Sequence, residues 1–115
     1  MIPVMLPVVQ YIPPVPGVIT QGYHMGHKAV DFACVTGTPV KAVHEGRVER
    51  FRDGRLGNQV RVYGPNGVVS LYAHLDSFGL NGNVNKGDVI GYCGNTGAWS
   101  TGPHLHFESN VPYRF

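Results

Sequence analysis

Four things are scarce in this 115-residue chain: cysteine (two), tryptophan (one), charge (14% of residues) and any long apolar run free of proline and glycine. Two cysteines, Cys34 and Cys93, cannot supply the four thiolates of a closed structural zinc site. They also lack the CxxC spacing of a redox motif. A bridge between them and a pair of small buried thiols both suit the apolar runs that surround each. If bridged, the closed loop would contribute about 4 kcal/mol in the chain-entropy account.

Nine basic against seven acidic residues leave a net charge of +2, too little for the basic face of a nucleic-acid binder. Arg47, Arg50, Arg52, Arg55 and Arg61 fall close together, but Glu45, Glu49 and Asp53 are interleaved with them. That pattern reads as a solvated strand face.

No transmembrane segment is expected. The apolar stretch 1–17 carries Pro3, Pro7, Pro13, Pro14 and Pro16, each of which removes a backbone donor and breaks a helix. It has neither the basic start nor the small-residue cleavage site of a signal peptide. It reads instead as a proline-rich arm, residues 1–17, lying on a domain of residues 18–115 or on a neighbouring chain. Through such an arm the protein could join a larger phage or cell-envelope assembly.

Glycine (16), proline (9) and histidine (6) are plentiful. Glycines and prolines spread through short apolar runs favour many strands joined by tight turns, in one mostly β domain. Strands are expected near 29–33, 39–43, 46–52, 59–63, 68–74, 89–93 and 105–108, with turns at 36–38, 53–54, 65–67 and 81–83. Asn66-Gly67 is the strongest hairpin signal, because both central positions of a type I′ turn need positive φ. It should pair 59–63 with 68–74 and bring His74, at the far end, toward the other histidines.

The histidines carry the chemistry. On a strand, His104 and His106 project from one face while Leu105 and Phe107 enter the core. His27 and Asp31 stand four residues apart, too far along a straight strand to reach one ion. A helical turn would bring them together, as would a bend leading into a strand that begins near Asp31. Gly22 and Gly26 before, with Val30 and Phe32 after, favour the bend. His27, Asp31 and His106 offer two imidazoles and a carboxylate, the three-ligand set of a catalytic zinc with one open position. His104 and His74 would then serve as proton acceptor and partner of the developing oxyanion. His24 and His44 read as ordinary surface or hydrogen-bonded residues.

The segments His27-Lys28-Ala29-Val30-Asp31-Phe32-Ala33, Gly37-Thr38-Pro39-Val40-Lys41-Ala42, Gly57-Asn58-Gln59-Val60 and Leu71-Tyr72-Ala73-His74-Leu75 occur in that order. They are followed by Lys86-Gly87-Asp88-Val89-Ile90-Gly91, Gly94-Asn95-Thr96-Gly97 and the stretch 100–108. Together they resemble the lysostaphin-type, or LytM-like, zinc endopeptidases of the glycyl-glycine endopeptidase family. The resemblance implies an all-β fold, a compact antiparallel β-sheet domain of the duplicated-hybrid-motif type with short hairpins and long groove loops. It implies one Zn2+ per chain held by His27, Asp31 and His106, with His74 and His104 flanking the attacking water. The implied substrate is the peptide part of peptidoglycan, so the chain would act at the bacterial cell wall. Asn58, Tyr72, Tyr23 and Trp99 are candidates to line the groove.

The family commonly has glycine where this chain has Ala29; if positive φ were needed there, alanine would cost on the order of 1 kcal/mol. The short tail after Glu108 suits a minimal enzyme, a phage component or a fragment. Two rival readings remain: a non-catalytic wall-binding, regulatory or phage structural module of the same fold, and a phosphocarrier domain with paired histidines. The phosphocarrier would have no use for Asp31 as a metal ligand.

Overall fold

Asn66 and Gly67 both adopt left-handed backbone, with φ of 60° and 76°, and turn the chain between two neighbouring seven-residue strands. The structure is a computed structural model that describes residues 8–17, 19–21 and 29–115. Its strands are β1 (Val9–Gln10), β2 (Ile19–Gln21), β3 (Ala29–Ala33), β4 (Pro39–Lys41), β5 (Gly46–Asp53) and β6 (Gly57–Tyr63). They are followed by β7 (Val69–Leu75), β8 (Ser77–Phe78), β9 (Asn83–Val84), β10 (Val89–Tyr92), β11 (His104–Ser109) and β12 (Tyr113–Arg114). Among the described residues the only helical element is a single 3-10 turn at Pro65–Gly67.

Seven strands form one sheet in the order β2-β3-β11-β7-β6-β5-β9, and three form a second, β4-β10-β8. Every pairing within these two sheets is antiparallel. The all-β antiparallel expectation therefore holds, and the long strands fall where alternation and turn residues place them. The elements the sequence does not announce, β1, β2, β8, β9 and β12, are two or three residues long, too short to show a period.

The inner face of the large sheet packs on the small one. Val30, Phe32, Val60, Val62, Tyr72, Leu105 and Phe107 meet Val40, Ala42 and Ile90 in a single core. Tyr72, expected as a groove residue, is instead fully buried on this inner face. Its hydroxyl accepts the Val43 N–H at 2.9 Å and shares a hydrogen bond with Ser70 Oγ, also 2.9 Å. The reason is parity: on β7 the outward positions are Leu71 and Ala73, and Tyr72 between them must point inward. Ser70 in turn meets His44 Nε2 at 2.9 Å, which gives His44 the hydrogen-bonded structural place expected of it.

Residues 8–17 lie on the domain. β1 pairs in parallel with β12, Tyr11 stacks on Tyr113 and meets Phe107 edge-on, and Pro14 and Val15 are buried. Ala29 is buried at the start of β3, opposite Glu108 of β11. Cys34 and Cys93 are joined in a disulfide with Cα atoms 6.4 Å apart. The bond ties the end of β3 to the end of β10, and so one sheet to the other.

Candidate active site

The outer face of the large sheet carries the chemistry. On β11, Leu105 and Phe107 are fully buried while His104, His106 and Glu108 face out. The antiparallel register sets Asp31 of β3 opposite His106, and His106 opposite Ala73 of β7. The small side chain of Ala73 leaves room above the sheet for its neighbours.

His106 Nδ1 lies 3.0 Å from Asp31 Oδ1, and its Nε2 lies 3.4 Å from Glu108 Oε1. Burial works against a charged imidazole here, but Glu108 and Asp31 outweigh it and raise the pKa of His106. An imidazole held between two carboxylates requires a shared cation, a proton or a metal. With Nε2–H directed at Glu108, Nδ1 and Asp31 Oδ1 are two electron-pair donors facing one another. Two ligands of a tetrahedral zinc at about 2.0–2.2 Å stand about 3.3–3.6 Å apart, a separation this pair reaches by opening a few tenths of an ångström from its 3.0 Å. A carboxylate behind the far ring nitrogen is the usual support of a metal-binding histidine. The donor chemistry thus fits zinc.

His27, the third expected ligand, lies outside the described residues, as do Tyr23 and His24. Among the described residues no group of three metal donors converges.

His74 ends β7 beside this pair, its ring centroid 4.8 Å from that of His104 and 5.9 Å from that of His106. Its backbone is left-handed, φ 63°, a conformation that costs a non-glycine residue about 1–2 kcal/mol. Two contacts hold it there: its N–H donates to Leu56 O at 2.9 Å, and its Nδ1 meets Thr96 O at 2.6 Å. A carbonyl only accepts, so Nδ1 carries the proton and Nε2 keeps its lone pair. His104 repeats the arrangement, with Nδ1 2.8 Å from Gly102 O. Burial holds the pKa of His74 below the ordinary histidine value; the Thr96 bond opposes this, and the neighbouring imidazoles add to it.

The loop that supplies Thr96 is fastened to β6. Thr96 Oγ1 accepts the Asn58 N–H at 3.1 Å and donates to Leu75 O at 2.7 Å. Asn58 Nδ2 donates to Leu75 O at 3.0 Å and to Asp76 O at 3.3 Å. Gly57 has φ +66°, and a Cβ there would stand 2.4 Å from the Thr96 carbonyl carbon, so only glycine permits this approach. Asn58 is therefore engaged in bracing the end of β7. Trp99 is 62% exposed on the same loop.

Sequence reasoning assigned no role to Glu108 or Thr96. Glu108 was within reach, since His104, His106 and Glu108 alternate on one strand face; a carbonyl's role, as at Thr96, leaves no residue-type signal.

Residues 25–113 match peptidase family M23. The chain belongs to that family. As an M23 peptidase it is 47% identical over 87 residues to the DD-carboxypeptidase/endopeptidase Mpg of Neisseria meningitidis, covering 74% of this chain and 20% of Mpg. Lysostaphin of Staphylococcus simulans is 38% identical over 103 residues, with 85% of this chain and 20% of lysostaphin covered. This M23 chain thus spans about a fifth of the length of these relatives. A zinc-containing peptidase from Vibrio cholerae superposes with a TM-score of 0.77 at 32% identity, over 86% of this chain and 36% of that one. The match of fold and family to peptidases leaves the phosphocarrier reading without support.

Proposed function

We propose that this chain is a zinc-dependent endopeptidase that hydrolyses peptide bonds in the stems or cross-bridges of peptidoglycan, acting at the bacterial cell wall. The observation that carries the reading is the facing pair Asp31 Oδ1 and His106 Nδ1 beside two imidazoles whose Nδ1 atoms are committed to carbonyls. His27, Asp31 and His106 would hold one zinc per chain. Zinc, when bound, would polarise a scissile carbonyl and lower the pKa of a water toward ~7.

The remaining steps fall to the protein's own side chains. With Nδ1–H of each ring committed to a carbonyl, Nε2 is the atom of His74 and of His104 through which the neutral imidazole would accept a proton. Burial keeps His74 in the neutral form that accepting a water proton requires. The imidazole that has taken the proton becomes a donor, to the leaving amine or to the oxyanion, with the other beside it at 4.8 Å between ring centroids. Glu108 fixes the ring of His106, and Thr96 fixes that of His74.

The test is elemental analysis of purified protein, paired with digestion of purified sacculi before and after chelation. The expected result is one zinc per chain and peptide release that chelation abolishes and added zinc restores. His106→Ala should lose the metal, whereas His104→Ala should keep it and lose turnover. Equal zinc in the two variants overturns the ligand assignment. Bound zinc without release would instead support the non-catalytic wall-binding or regulatory module.

A further inference from the structure

Beside the two imidazoles stands a pair of exposed side chains that the mechanism does not use. The guanidinium of Arg55 lies 5.2 Å from the ring centroid of Trp99, and both residues are exposed. Both stand next to the site. Arg55 precedes Leu56, whose carbonyl accepts the His74 N–H at 2.9 Å. Trp99 precedes Ser100, whose Oγ is 3.3 Å from His104 Nδ1. Two backbone bonds lock the segments together, Ala98 N–H to Gly54 O at 2.8 Å and Trp99 N–H to Arg55 O at 3.1 Å. The platform is thus built rather than incidental.

Its charge is uncommitted. The nearest acid in sequence, Asp53, attracts Arg55, but its oxygens are occupied by other donors. Oδ1 accepts the N–H groups of Arg55 and Leu56 at 2.8 and 2.6 Å, and Oδ2 accepts Gln59 Nε2 at 2.5 Å. Among the described residues no carboxylate lies within ion-pair distance of Arg55. An arginine held against an indole face, with its N–H edge free, is pre-organised for a planar anion. The indole meanwhile offers a flat apolar surface to the chain that carries the anion.

We infer that Arg55, stacked on Trp99, is a specificity-determining residue that binds a free carboxylate of the substrate peptide close to the scissile bond. The substrate class is then the carboxylate-bearing stem peptide and its cross-links, and an uncharged all-glycine bridge is the poorer substrate. This rests on the peptidoglycan endopeptidase reading above.

Trp99 is the single tryptophan of the chain, so its fluorescence reports occupancy without any need for turnover. The experiment titrates the zinc-loaded protein with stem-peptide monomers in free-acid form, with the same peptides after carbodiimide amidation, and with pentaglycine. In parallel, hydrolysis rates are measured on the corresponding free-acid and amidated dimers. The free acid should bind about fivefold more tightly than the amide, the ratio an exposed charge pair supports. Arg55→Gln should bring the ratio to one, and Arg55→Glu should invert it. Equal binding of acid and amide by the unaltered protein overturns the inference, as does an equal loss for both forms in Arg55→Gln. Tighter binding of polyglycerol phosphate than of either peptide assigns the platform to a wall polyanion and also overturns it. Hydrolysis of both dimers without preference leaves the peptidase reading standing and removes this one. A fluorescence preference for the acid over the amide with no hydrolysis of any dimer leaves carboxylate binding by Arg55 standing and removes the peptidase reading, and with it the placement beside a scissile bond.

Discussion

Replacing Cys34 and Cys93 together by alanine removes the covalent tie between the two sheets, and the size of the effect follows from the chain it closes. The cysteines are 59 residues apart, a loop whose closure in the unfolded chain is worth about 4 kcal/mol in the chain-entropy account. A chain of this length melts with an entropy of roughly 0.24 kcal/mol per kelvin, so that loss corresponds to a fall in Tm of about 17 °C. Cys34 is partly exposed while Cys93 is fully buried. A thiol reductant can therefore approach from the Cys34 side, and the reduced wild-type protein should match the double variant. The assay is thermal unfolding followed by circular dichroism, at fixed zinc concentration, with and without reductant. The backbone also joins these segments, Gly37 N–H to Cys93 O and Cys93 N–H to Thr38 O, both at 2.8 Å. If those two bonds hold the segments in place without the disulfide, the fall will be less than about 4 °C, near the yield of a single kcal/mol, and the loop-closure reasoning is refuted.

Two further substitutions probe the frame of the site. Thr96→Val strands the Asn58 N–H, a loss of about 1–3 kcal/mol, and lets the His74 ring drift. The rate of sacculus digestion at saturation should drop by between about tenfold and 100-fold with little change in KM, and Thr96→Ser should restore it; a purely structural role would lower the active fraction without this rescue. Asp53→Asn weakens the cap on the hairpin that carries Arg55. Backbone N–H groups of Leu56, Arg55 and Gly57 hold the Asp53 pKa below its ordinary value, so its contribution is complete above the unfolded value of about 3.9 and is lost as pH falls through the lower folded value. The Tm gap between wild type and variant should be flat from pH 7 to about pH 4.5 and close below about pH 4, and a gap that widens on acidification contradicts the assignment.

What the sequence made legible, and what it hid, divides along the range of the forces concerned. The alternation His104, Leu105, His106, Phe107 is a local, period-two pattern, and it placed two imidazoles outside and two apolar side chains in the core. Asn66-Gly67 is likewise a local demand for positive φ, and it set the hairpin that carries His74. The same alternation, applied to Tyr72, shows it buried between the outward Leu71 and Ala73. The parity of its strand therefore excludes Tyr72 from the groove. The left-handed backbone of His74 had no local signal, because it is imposed by contacts from Leu56 and Thr96, distant in sequence. The disulfide was undecidable for the same reason: its geometry depends on β3 and β10 belonging to different sheets that pack face to face. Sequence pattern thus names the candidate reacting groups, while the contacts that orient them are set across the fold. Burial favours the neutral form of His74, and its Nδ1 carries a proton because the loop 94–97 presents the Thr96 carbonyl to it. In the proposed mechanism the acid-base chemistry therefore depends on a loop that bears none of the proposed reacting groups, which is why Thr96 is a sharp point at which to perturb it.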